Sequence, residues 1–147
     1  MEIIDEIKNK FGSKIKKFEE KNPRRIYIDI LPSDIVEITK TLFVELKLRF
    51  IIATGIDRRD GFEILYHFAE DKTGKVITFR VLITDKEKPE IETISKVIKG
   101  AEWIEREMWE LLGINFKGHP NLKHLLLRDD WPSCNYPLRQ GQGKREE

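Results

Sequence analysis

The sequence holds a single cysteine, Cys134, so no disulfide forms within the chain. No iron–sulfur cluster is held by its own thiolates either, since such clusters need several. Charge of one sign is also missing: 27 Lys and Arg face 26 Asp and Glu, a formal net charge of +1. A nucleic-acid binder carries a clear basic surplus, so that class is set aside. No apolar run approaches the ~20 residues that span a bilayer. Met1-Glu2-Ile3-Ile4-Asp5 lacks the basic-then-apolar order of a secretory signal. There is no glycine-rich phosphate loop and no Gly-x-Ser-x-Gly elbow. What is plentiful is charge of both signs, 36% of the residues, with many Lys and Glu beside few Cys and Met. That bias is the one described for hyperthermophile proteins. At 147 residues the chain has the size of one domain with a real core.

Ile3, Ile4, Ile7, Phe11, Ile15 and Phe18 fall on one stripe of a helical period, which predicts a helix ended by Asn22-Pro23. Ile26, Ile28 and Ile30 alternate with polar neighbours, a short strand. Pro32-Ser33-Asp34 starts a second helix with Ser33 as N-cap, burying Ile35, Ile38, Leu42 and Leu46. From Arg49 the period becomes two. Segments 49–56, 62–69 and 75–84 read as an antiparallel three-strand meander, with turns at Asp60-Gly61 and Asp71-Lys72-Thr73-Gly74. After Pro89, Ile91, Ile94, Val97 and Ile98 mark a short helical face. A further helix runs from Ala101 to Leu112 and stops at Gly113. The fold class is α+β: an antiparallel-rich sheet of about four strands with packed helices. Residues 1–113 form this domain, and residues 114–147 form an extended irregular C-terminal tail.

That tail is dense in Gly, Pro and Trp, so no regular element is expected to continue through it. Such irregular backbone needs another polypeptide to complete its burial. Glu105-Arg106-Glu107, just before it, sets an Arg between two acids. Taken alone, Glu102 with Arg106, and Arg106 with Glu110, make ordinary helical pairs of about 0.3 kcal/mol. Beside the tail they read as a buried charge network shared with a partner. Of Trp103 and Trp109, one is expected in the core and the other toward a neighbour. Asp57 to Asp60 crowd a hairpin tip, read as a solvated turn. His119 and His124, with Cys134 and Asp129, are the candidate ligands of a small metal-dependent enzyme. The plainer reading is histidines hydrogen-bonded in turns.

The residues Ala101, Trp103, Glu105-Arg106-Glu107, Gly113-Ile114, Phe116, Gly118-His119-Pro120-Asn121-Leu122, Leu125-Leu126, Asp129-Asp130-Trp131 and Pro137-Leu138-Arg139 form one pattern. It closely resembles the signature of the C subunit of NADH-quinone oxidoreductase, a module shared with membrane-bound nickel–iron hydrogenases. The resemblance implies a structural protein with no catalytic residue, no metal site and no cofactor of its own. Iron–sulfur clusters, and a nickel–iron centre in hydrogenases, would belong to partner subunits. Its partners would be the large catalytic subunit and a neighbouring iron–sulfur subunit. The complex would lie on the cytoplasmic side of the cell membrane, reached only through those partners, in electron transport coupled to ion translocation. The resemblance implies docking roles for Glu105, Arg106, Glu107, Gly118, His119, Pro120, Arg128, Asp129, Asp130, Trp131, Pro137, Leu138 and Arg139. The chain departs from respiratory members where Gln140-Gly141-Gln142 follows Pro-Leu-Arg and Pro132-Ser133-Cys134-Asn135-Tyr136 precedes it. With the short end and the Lys/Glu/Ile-rich composition, this favours an archaeal hydrogenase-type complex. The alternative is a NADH/quinone-type respiratory complex.

Overall fold

A computed structural model describes residues 2–140. Helix α1, Ile3–Phe11, buries Ile3, Ile7 and Phe11 as the stripe predicts. It does not run on to Asn22. Gly12 closes it, donating its N–H to Lys8 O, and glycine costs about 1 kcal/mol in a helix interior. Lys17–Asn22 is instead strand β1, antiparallel to β2 (Arg25–Asp29), with Phe18 opposite Ile28. Asn22 Oδ1 accepts the Arg24 N–H at 2.9 Å and fixes the turn between them.

Pro32–Asp34 is a single 3-10 turn leading into α2, Ile35–Lys40. Ser33 is not the N-cap: it lies inside the 3-10 turn, whose N-cap is Leu31, and Asp34 stands at the cap of α2. The turn Thr41–Glu45 then widens to π geometry, and the Leu46 N–H reaches Thr41 O at 2.9 Å. Ile35, Ile38 and Leu42 are buried as predicted, while Leu46 is half-buried.

The meander is β3 (Arg49–Arg58), β4 (Gly61–Glu70) and β5 (Lys75–Ile83), antiparallel throughout. β2 joins it parallel to β5, with Ile26 beside Ile77 and Ile28 beside Phe79. The sheet therefore has five strands in the order β1-β2-β5-β4-β3, leaving β1 and β3 as edges. Alternate residues of β4, from Phe62 to Phe68, are fully buried on one face, packed with Ile28, Ile77, Phe79 and the three helices. The opposite face is polar: Arg80 lies 2.5 Å from Asp29, and His67 Nδ1 meets Thr78 Oγ1 at 2.8 Å.

The expected helix at Ile91–Ile98 is not one. Glu90–Glu92 is strand β6, paired parallel to β7 (Asn115–Lys117), and a lone turn at Ile94 follows. Ile91, Ile94 and Ile98 are still buried, since a strand plus one turn places them inward as a helix would. Helix α3, Ala101–Leu112, forms as predicted, and Gly113 ends it at φ 80°. Its Ala101, Met108 and Leu112 line lies on β3. There Gly55 permits the approach: a Cβ would stand 2.7 Å from Leu112 Cδ1. Ile114 and Phe116 are buried as well, so the chain turns irregular only from Gly118.

Candidate functional site

The second face of α3 meets the tail, and it does so through charge. Arg106 is buried and donates from Nε to Lys123 O at 3.1 Å and from Nη2 to His124 O at 2.6 Å. One helical turn later, the buried Glu110 carboxylate accepts the N–H groups of Leu125 (2.8 Å), Leu126 (2.7 Å) and Leu127 (3.3 Å). The two side chains thus take consecutive carbonyls and amides of a bent segment that has no strand partner of its own, the three successive N–H groups curling around one carboxylate. His124 Nδ1 lies 3.3 Å from Glu110 Oε2, its ring against Trp109 at 5.3 Å. Burial works to raise the Glu110 carboxyl, but the three backbone N–H groups and His124 outweigh it and hold it below the ordinary carboxylate range.

Glu105 faces the other way, fully buried. It accepts from the Thr93 hydroxyl and from Ile94 N–H at 3.1 Å, pinning the turn after β6. His119 donates from Nε2 to Glu102 O at 3.0 Å, and its Nδ1 accepts the Asn121 N–H at 3.0 Å. Gly118, at φ 80°, makes the bend that brings it there.

The far end of the tail returns to the C-terminus of α3. Leu138 N–H donates to Leu111 O and Arg139 Nε to Leu112 O, each at 3.0 Å, so a cation covers the negative end of the helix dipole. The Arg139 guanidinium stacks 4.9 Å from the Phe62 ring and 4.8 Å from that of Tyr136. Gly113 is needed twice here. Its φ is left-handed, and a Cβ would lie 2.6 Å from Tyr136 Cε2. Gln140 N–H donates to Asp57 Oδ2 at 2.6 Å, while Lys86 Nζ sits 2.5 Å from Asp57 Oδ1. Burial pushes the Asp57 carboxyl up, yet Lys86, the Gln140 N–H and Arg139 bring it below its usual value.

The signature residues therefore divide into two sets. Glu105, Arg106, His119, Trp131 and Arg139 turn inward, Trp131 donating from Nε1 to Asn135 O at 2.7 Å, while Gly118 is exposed at the bend. Within the chain, Glu105 bonds to Thr93 and Ile94, and Arg106 to the Lys123 and His124 carbonyls. Glu107, Pro120, Asp129, Asp130, Pro137 and Leu138 lie at the surface or half-buried, as does Arg128, which reaches only Asp130 at 3.3 Å. Among the described residues no three His, Cys, Asp or Glu side chains gather into a metal-holding group. His119, His124, Cys134 and Asp129 are not brought together as one. Glu110 and Asp57 are the residues sequence reasoning missed. Glu110 shares a face with Arg106 four residues earlier, a visible signal that pointed to a mutual pair and not to tail backbone.

Outside these bonds the tail is thinly covered. Leu126 is 65% exposed and Leu138 60%, and Trp103 on the outer side of α3 is 68% exposed. Trp103, with Ile51 and Ile52 on the free edge of β3, borders an apolar groove of about 510 Å³ that also touches Phe50, Ile104 and Leu125. Among the described residues no helix is long and apolar enough to cross a membrane.

A family model described as "Respiratory-chain NADH dehydrogenase, 30 Kd subunit" matches residues 28–146. The sequence is 34% identical to the C subunit of F(420)H(2) dehydrogenase from Methanosarcina mazei, over 94% of this chain and 88% of that relative. It is 33% identical to the C subunit of NADH-quinone oxidoreductase from Ruegeria pomeroyi, over 77% of this chain and 58% of that one. Against the C/D subunit of the Phocaeicola vulgatus NADH-quinone oxidoreductase identity is 42%, but the match spans 59% of this chain and only 17% of that longer protein. The fold matches a chain of an archaeal membrane-bound sulfane sulfur reductase at TM-score 0.82, with 21% identity over 93% of this chain and 81% of that one. It also matches the trypsin-resistant Nqo5 fragment (1-134) at TM-score 0.66, with 22% identity over 82% of this chain and 96% of the fragment.

Proposed function

The chain belongs to the respiratory-chain NADH dehydrogenase 30 kDa subunit family, and we propose that it braces the large catalytic subunit of a membrane-bound, complex I-related oxidoreductase. On this reading it performs no catalytic step and holds no cofactor. The iron–sulfur clusters, and a nickel–iron centre if the parent is a hydrogenase, sit in partner subunits. The partners are the large catalytic subunit and a neighbouring iron–sulfur subunit, on the cytoplasmic side of the membrane. Residues 118–140 and the outer side of α3 supply the docking face. An archaeal-type parent is favoured over a NADH/quinone-type one because the methanogen match extends over 94% of this chain and the R. pomeroyi match over 77%.

The observation that carries the reading is a contrast along the tail. Its backbone is bound by Arg106 and Glu110, yet Leu126, Leu138 and the adjacent Trp103 point outward, uncovered. A fixed backbone presenting bare apolar side chains is a surface built to be buried. Co-expression with the large subunit of the parent complex, followed by size exclusion, tests it. The wild-type chain should co-elute. The W103D/L138D variant should not, while keeping its own melting temperature, because surface changes of this kind move stability by only about 0.5 kcal/mol. Equal co-elution of both would overturn the docking face. A large subunit with two Cys-x-x-Cys pairs marks a hydrogenase, and one without them marks a quinone- or sulfur-reducing relative.

A further inference from the structure

Glu105 is a carboxylate in dry surroundings with no counter-charge. Its side chain and that of His119 are both fully buried, with His119 Nε2 3.9 Å from Glu105 Oε1. Both nitrogens of that ring are engaged elsewhere: Nδ1 accepts the Asn121 N–H and Nε2 donates to Glu102 O. No cation among the other described groups around Glu105 bonds to its carboxylate, whose donors are Thr93 and Ile94. From β4 comes the Tyr66 hydroxyl, buried and without a hydrogen-bond partner. From its own helix comes Glu102, one turn earlier and of like sign. From the turn after β6 come the Thr93 and Ser95 hydroxyls, whose oxygens lie 2.6 Å apart, and the exposed Lys96. Arg106, next in sequence, has spent its guanidinium on Lys123 and His124.

We propose that Glu105 is a proton-operated latch: neutral, it locks the 93–95 turn and the His119 bend onto α3, and ionised, it loosens both. The hydroxyl pair serves either state. Neutral Glu105 donates to Thr93, which passes its own proton on to Ser95. Ionised Glu105 accepts from Thr93, which then accepts from Ser95. Ionisation therefore costs no hydrogen bond. It places an uncompensated charge out of reach of water, and parting either turn from the helix relieves it.

The carboxyl is pushed up from 4.5 to about 7, first by burial, against the pull of Thr93 and the Ile94 and Ser95 amides, with Glu102 adding to the rise. A group raised in the closed form stabilises that form fully below its ordinary value. The contribution falls as pH climbs toward the closed-form value and is gone above it. The loosening window is thus roughly pH 4.5 to 7.

Two measurements on the full chain decide the matter. Carbon-13 titration of the glutamate carboxyls should show Glu105 changing state near neutral pH. Hydrogen exchange, normalised for intrinsic rate, should show amides 93–98 and 117–121 losing protection by about tenfold per pH unit across the window, then levelling. In E105Q the same amides should keep a flat profile. Should E105Q fail to fold, T93V keeps the carboxylate and removes a group that lowers its pKa, so its midpoint should move further up. An ordinary carboxylate midpoint for Glu105, or an E105Q profile that falls like the wild type, overturns the proposal.

Discussion

Arg106 and Glu110 stand one turn apart on α3, yet neither spends its charge on the other. An exposed pair at that spacing is worth about 0.3–0.5 kcal/mol. Hydrogen bonds from a charged group to backbone contribute roughly 1.5–3 kcal/mol each, so holding the tail is the larger use of both residues. Glu110→Gln keeps the volume but leaves one oxygen for three N–H groups. It should cost about 2–3 kcal/mol in urea unfolding and speed exchange at amides 125–127. Acid should act at the same place. Because the Glu110 carboxyl is held below its ordinary value, its stabilisation is present above that value and lost as pH falls through the depressed one. Exchange at 125–127, normalised for intrinsic rate, should therefore rise in the wild type as pH falls through the depressed value and stay unchanged with pH in E110Q. That is opposite in direction to Glu105, whose effect lies at higher pH.

At the scale of elements, α3 packs closely on β3 across Gly55. Gly55→Val would put a branched side chain where Leu112 Cδ1 already lies 2.7 Å from a bare Cβ position. Overpacking of this kind costs roughly 1–3 kcal/mol, read as a fall in melting temperature, and α3 should lift with the tail it carries. The elements that sequence revealed are those whose signals are local. The meander declares itself by alternation and two turn dipeptides, and α3 by its period and the Gly113 stop. Those it concealed are decided by distant partners. Phe18 suits a helical stripe and a strand equally, and only the ladder offered by β2 settles which. Ile91, Ile94 and Ile98 are spaced as on a helix, but β7 and the Glu105 carboxylate, both later in the chain, claim their backbone. The candidate site shows the same division. The spacing on α3 put Arg106 and Glu110 on one face, whereas whether each tail residue points inward or outward depended on a path without periodicity.

For the molecule as a whole, one long edge is open. β3 runs ten residues at the margin of the sheet, with Ile51, Ile52 and Ile56 each at least 40% exposed. The register shift between Phe50 and Ile52 is its single irregularity along the pairing with β4. An uncovered apolar edge is a template for another strand. The chain alone should therefore associate as its concentration rises, seen by light scattering. Ile52→Lys should suppress that association with little change in stability, since the side chain is already in solvent.

The capping of α3 by Leu138 and Arg139 closes residues 113–137 into a ring with both feet planted on one helix. Ring closure depends only weakly on length: doubling it costs about 0.6 kcal/mol. The exposed arc at 128–130, farthest from either foot in bonding, is thus the place to splice in a reporter or an affinity handle. In the chain on its own such an insert would leave both anchorages as they are; on the docking reading it would obstruct the large subunit.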